Sequence, residues 1–60
     1  MYSAYEELKT KRGVTDYQVS KATGVAASTL TAWKKGDYTP KVDKLKKIAE
    51  FFNVPIETFI

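Results

Sequence analysis

The sequence predicts an all-α domain of five short helices, and three observations carry that prediction. Val42, Leu45, Ile48, Ala49 and Phe52 recur at three and four residues, the spacing that lines up one face of a helix. Gly13, Gly24, Gly36 and Asn53 punctuate the chain at short intervals, and each is a residue type that ends helices in the left-handed conformation. No stretch alternates apolar and polar residues as a half-buried strand does.

Each element follows from local signals. Ser3 and Glu6 have the spacing of a capping box, which predicts a first helix over about 4–12 with Tyr5 and Leu8 as its apolar pair. Lys9, Lys11 and Arg12 suit its negative end, and Gly13 stops it. Thr15 and Gln18 form a second capping box, with Val14 and Val19 as a hydrophobic staple, opening a helix over 16–23 that Gly24 ends. A third helix covers 27–35 before Gly36, with no side-chain acceptor at Ala26 to cap it. Thr39 as cap and Pro40 as first helical residue open a fourth helix, over about 41–52. Pro55 opens a last short helix over 55–60 containing Ile56, Phe59 and Ile60. No linker, repeat or low-complexity tract interrupts this order, so residues 1–60 read as one folding unit.

Composition narrows the function. Sixty residues leave no room for a two-lobed enzyme, and the chain has no Cys and no His. That removes disulfide, zinc-finger and haem chemistry and any nucleophile activated by His. The expectation is a protein with no catalytic activity, no cofactor, no metal and no small-molecule substrate. Apolar runs are too short to span a membrane, and Met1-Tyr2-Ser3-Ala4-Tyr5-Glu6-Glu7 lacks the basic and apolar regions of a signal peptide, so a cytoplasmic location is expected. All ten basic residues lie between Lys9 and Lys47, where only Asp16, Asp37 and Asp43 oppose them; the remaining acids, Glu6, Glu7, Glu50 and Glu57, sit toward the ends. A basic middle with acidic ends fits a surface that faces a polyanion.

The second and third helices, joined through Gly24, describe a helix-turn-helix. Val19, Ala22, Val25, Leu30 and Trp33 fall where these helices and their turn must pack, with Ala22 small at the crossing. If Leu30 and Trp33 face inward, then Ala27, Ser28, Thr31, Ala32 and Lys35 occupy the opposite face of the third helix. Trp33 reads as core rather than as a stacking platform.

At this level of detail the chain resembles the Cro and C1-type phage repressor family, the XRE-like helix-turn-helix proteins. The resemblance runs from Val14-Thr15-Asp16-Tyr17-Gln18-Val19-Ser20-Lys21-Ala22-Thr23-Gly24-Val25 through Ser28-Thr29-Leu30 and Trp33-Lys34-Lys35-Gly36. It continues through Pro40, Leu45-Lys46-Lys47-Ile48-Ala49-Glu50 and Asn53-Val54. It implies a compact five-helix, lambda-repressor-like domain that puts its third helix in the major groove of double-stranded DNA, usually as a homodimer on a palindromic operator. The expected role is a sequence-specific transcriptional regulator, a repressor of bacterial or prophage origin associated with the nucleoid. The alternative from another class is a protein-interaction module, binding a toxin or antirepressor, with DNA contact secondary.

Carried onto this chain, the resemblance makes Ala27, Ser28, Thr31 and Ala32 the base-facing residues. The two hydroxyls can exchange hydrogen bonds with several bases, and the alanines offer only a methyl to thymine. None is an Arg, Asn or Gln capable of bidentate readout, so DNA shape and water are expected to share in specificity. Phosphate contacts are assigned to Thr15, Gln18 and Lys21 on and before the second helix, Lys34 and Lys35 at the end of the third, and Tyr38, Thr39 and Lys41 in the following loop. Tyr17 and Tyr38 serve equally as phosphate donors or as packing aromatics. The apolar end of the chain exceeds what one small core needs, which points to Phe52, Ile56, Phe59 and Ile60 as a dimer interface.

Three positions depart from the family pattern. Asp16 stands where the family usually places a phosphate-binding Gln. Lys9 and Lys34 stand where many members pair an Arg with a Glu, so two like charges are expected to face each other or one lysine to turn outward. Ala26 replaces a hydroxyl cap, at a cost of about 1 kcal/mol.

Overall fold

Four α-helices and a closing 3-10 turn make up the chain in the computed structural model, which describes all sixty residues. The helices are α1 (Tyr2–Arg12), α2 (Asp16–Thr23), α3 (Ala27–Lys35) and α4 (Val42–Phe52), followed by the 3-10 turn Ile56–Phe59. The architecture is all-α, as the periodicity predicts. α2 packs against both α3 and α4, and the 3-10 turn bridges α1 and α4.

Helix ends follow local chemistry closely. The Thr15 hydroxyl accepts from the Gln18 amide, and the Gln18 side chain accepts from the Thr15 amide at 2.9 Å, closing the expected capping box. Gly24 ends α2 at φ 80°, a conformation that a side chain would strain. Asn53 ends α4 at φ 57°, the one non-glycine residue with positive φ.

Tertiary packing overrides local signals at four places. α1 begins at Tyr2, so Ser3 lies inside the helix and makes no capping box. Glu6 does not fold back to Ser3; its carboxylate accepts from the Tyr2 hydroxyl at 2.6 Å. Tyr2 is held by the core, its ring 5.5 Å from Trp33 and 5.6 Å from Tyr5. The N-terminal ammonium donates to the Phe59 carbonyl, which draws the two chain ends together.

α4 begins at Val42, past the expected Thr39–Pro40 start. Pro40 is buried in the loop, and the Lys41 carbonyl instead accepts from the Lys44 and Leu45 amides, each at 2.9 Å. The last expected helix is a single 3-10 turn, too short for α-helical pairing, with Pro55 before it in extended conformation. Its consequence is to drive Phe59 into the core.

Ala22, expected at the helix crossing, is exposed. Thr23, one position on, takes the half-buried site: its hydroxyl donates to the Val19 carbonyl at 2.7 Å and accepts from the Val25 amide at 3.2 Å. That pair of bonds fixes the turn between α2 and α3.

The core comprises Tyr5, Val19, Val25, Leu30, Trp33, Leu45, Ile48, Ala49, Phe52 and Phe59. Trp33 links its aromatic members: Tyr5 stacks on it at 5.4 Å and Phe59 meets it edge-on at 6.0 Å, with Phe52 edge-on to Tyr5 at 5.9 Å. Phe52 and Phe59, expected at a dimer interface, are 4% and 1% exposed and belong to this core. The apolar excess is thus largely absorbed by an aromatic cluster that spans both chain ends. Phe51 is half-buried against Phe52, beneath the Arg12 guanidinium.

Candidate nucleic-acid interface

α3 divides cleanly into two faces. Leu30 and Trp33 are buried and pin the helix to the core, while Ala27, Ser28, Thr31, Lys34 and Lys35 are exposed and Ala32 is half-buried. The candidate base-facing residues therefore share one solvent face, as their spacing predicts. Ala26 caps the helix with its carbonyl alone, in extended conformation, and its side chain contributes nothing to the free amides of the first turn. Gly36 ends α3 in the left-handed conformation, and the Asp37 amide returns to the Ala32 carbonyl at 3.0 Å. These bonds hold the loop that carries Tyr38, Thr39 and Lys41, all three exposed.

The two candidate contacts at the start of α2 are not equivalent. Thr15 is committed to the capping box, its hydroxyl accepting from the Gln18 amide and lying 3.4 Å from Gln18 Oε1. Gln18 uses its carbonyl oxygen in that box and leaves its amide NH₂ group as a donor. Lys21 is exposed, its ammonium 5.7 Å from the centre of the Tyr17 ring. Arg12, by contrast, lies over Phe51 and Phe52 and donates to the Phe51 carbonyl at 3.3 Å.

The departures at Asp16, Lys9 and Lys34 resolve into one arrangement. The Lys9 ammonium is bonded to an acid: it lies 2.7 Å from Asp16 Oδ1, and the Tyr5 hydroxyl donates to the same oxygen at 2.8 Å. Glu6 stands farther from Lys9, at 3.9 Å. Burial raises the Asp16 carboxyl, but the hydrogen bonds from Lys9 and Tyr5 and the charges of Lys9 and Lys34 outweigh it and hold the group below its ordinary value. Burial, then the bond to Asp16, pushes the Tyr5 hydroxyl well above its ordinary value. Asp16 is thus held as a carboxylate by its bonds to Lys9 and Tyr5, with the charge of Lys34 acting in the same direction. Sequence reasoning missed this network; its signal was that two family departures, a lost acid and a gained one, are opposite in charge.

No group of three or more His, Cys, Asp or Glu side chains is placed to hold a metal ion. No helix is long and apolar enough to cross a membrane. The surface offers a shallow groove between α2 and α4, lined by Ala22, Thr23, Lys47, Glu50 and Phe51. What the α3 face offers is of another kind: short polar and methyl-bearing side chains on a helix that ends in exposed Lys34 and Lys35.

The family model described as helix-turn-helix matches residues 5–59. The chain is 31% identical over 58 residues to the cryptic phage CTXphi transcriptional repressor RstR of Vibrio cholerae, covering 97% of this chain and 52% of that protein. It is 35% identical over 57 residues to an uncharacterized HTH-type transcriptional regulator of Archaeoglobus fulgidus, covering 95% of this chain and 81% of the regulator. A further such regulator of the same archaeon is 33% identical, with 95% and 80% covered. The chain spans about half the length of the Vibrio repressor. No solved structure matches it significantly. With the family model covering nearly every residue and two exposed-faced helices joined at Gly24, the chain belongs to the helix-turn-helix family of the Cro/C1 type.

Proposed function

We propose that this domain is a sequence-specific, double-stranded DNA-binding transcriptional regulator, acting as a repressor by occupying its operator. The observation that carries the reading is α3: one face is locked into the core by Leu30 and Trp33, and the other is free and flanked by lysines. A helix held this way enters a major groove as a rigid body, with its short side chains allowing close approach. Thr15, Gln18, Lys21, Lys34, Lys35, Tyr38, Thr39 and Lys41 are the groups assigned to phosphates. They fix register, while Ala27, Ser28, Thr31 and Ala32 meet base edges. The domain takes no catalytic role in this reading.

The repressor sign draws support from the Vibrio relative, whose name is that of a transcriptional repressor. The same reading places the protein in a bacterial or prophage setting, at the nucleoid. Assembly as a homodimer follows from the small recognition side chains, since one such helix reads too few bases for strong specificity. Of the four residues expected at that contact, Ile60, 72% exposed, and half-buried Ile56 are the two that lie outside the core.

Selection from random duplex DNA, with binding titrated at two salt concentrations, tests this reading. A palindrome with half-sites about one helical turn apart is expected. Binding without a motif, collapsing as salt rises, contradicts it and reduces the basic face to phosphate contact.

A further inference from the structure

Thr31 lies within the exposed face of α3, and its hydroxyl is not free. Oγ1 donates to the Ala27 carbonyl, one turn earlier, at 3.2 Å. A threonine bonded in this way spends its only donor within the helix, while its γ-methyl stays available on the exposed face. Ala27, one turn earlier, is exposed and ends in a methyl, and so does half-buried Ala32 beside it. Of the four candidate base-facing side chains, three therefore carry a methyl group, and Ser28 alone keeps an unspent hydroxyl donor.

A methyl-bearing face has one apolar counterpart in the major groove, the C5-methyl of thymine. Guanine, with two acceptors, is best read by Arg or Lys; adenine, with a donor and an acceptor, by Asn or Gln. The segment from Ala27 to Ala32 holds none of these.

Building on the proposed DNA-binding role, we infer that α3 reads its operator through pyrimidine C5-methyl groups, with thymines set against Ala27, Thr31 and Ala32. The discriminating contact is apolar burial, and Ser28 supplies the remaining polar contact. Thymine is distinguished from cytosine by its methyl, as well as by the exchange of an acceptor for a donor.

The test uses the duplex returned by selection and the same duplex with deoxyuridine replacing thymidine in each half-site. Deoxyuridine keeps the pairing edge and the O4 acceptor and removes only the methyl. Affinity is expected to fall roughly fourfold for each contacted thymine, the effect of one buried methyl-sized group. Thr31→Ser, which keeps the hydroxyl and loses the methyl, is expected to reduce the thymidine-to-deoxyuridine affinity ratio. Thr31→Val, which keeps a methyl there, is expected to preserve it. A protein that distinguishes its motif from scrambled DNA yet binds the deoxyuridine duplex equally well overturns this inference alone. A selection that returns no motif overturns the proposed function and this inference together.

Discussion

Lys9 and Asp16, seven residues apart on consecutive helices, meet at 2.7 Å, and the Tyr5 hydroxyl joins them at 2.8 Å. The contact ties α1 to the first turn of α2 and so sets where the helix-turn-helix stands on the core. The Asp16 carboxyl lies below its ordinary value in the folded state. Its stabilising contribution is therefore present at neutral pH and is lost as pH falls through the folded-state value. Asp16→Asn keeps an oxygen for Tyr5 but leaves the Lys9 ammonium with only the more distant Glu6. Because the Asp16 side chain is 32% exposed, the expected loss is modest, about 1 kcal/mol. For a domain of this size that is a fall of roughly 4–8 °C in Tm. Thermal melts followed by circular dichroism check it: the difference from wild type is expected at neutral pH and to shrink as pH falls below the ordinary carboxylate range.

The two helices of the motif begin differently, and stability is expected to register it. Thr15→Ala breaks the α2 capping box and is expected to cost about 1 kcal/mol. Ala26→Ser supplies the acceptor that α3 lacks, at a residue already in extended conformation, and is expected to add about 1 kcal/mol. Urea titrations of both variants should move the midpoint in opposite directions.

Lys35 is exposed at the end of α3 and makes no ion pair within the chain. Lys35→Glu sets a carboxylate against the negative end of α3 and is expected to cost at most about 1 kcal/mol of stability. DNA affinity should fall, and the dependence of log affinity on log salt should become shallower by about 1. A protein-partner complex formed elsewhere on the surface would survive this reversal, so the variant separates the two functional classes that the sequence leaves open.

At the apolar end of the chain, two residues should behave in opposite ways. Phe52 lies in the aromatic core, so Phe52→Ala is expected to cost about 3–5 kcal/mol, on the order of the whole stability of a chain this short. Ile60 faces solvent, so Ile60→Lys is expected to leave the fold intact and to weaken self-association. Sedimentation equilibrium, with circular dichroism as the folding control, distinguishes the two.

Much of this fold is legible in the sequence because its signals are local. Left-handed Gly24 and Asn53, the Thr15–Gln18 box and the three-and-four spacing of α4 each act within a turn or two, so short windows reveal them. The misread positions depend on contacts that no short window contains. Ser3 resembles a cap until Tyr2 is seen against Trp33, and Phe52 and Phe59 resemble an interface until the Tyr5–Trp33 stack is seen between them. Thr39–Pro40 resembles a helix start until Pro40 is found buried. The solvent face of α3 was readable from spacing alone, because Leu30 and Trp33 fix its rotation. The Thr31 hydroxyl bond and the Lys9–Asp16 contact were not, since each depends on where a side chain turns.

Mapping the DNA contact directly on the protein is the most decisive measurement. Titrating the isotopically labelled chain with a selected duplex, and following amide chemical shifts, is expected to move residues 27–35, the start of α2 and the loop 36–41. The outer face of α4 should stay unperturbed. Shifts concentrated on α4 or at the chain ends, with the α3 face unmoved, would contradict a reading helix at Ala27–Lys35.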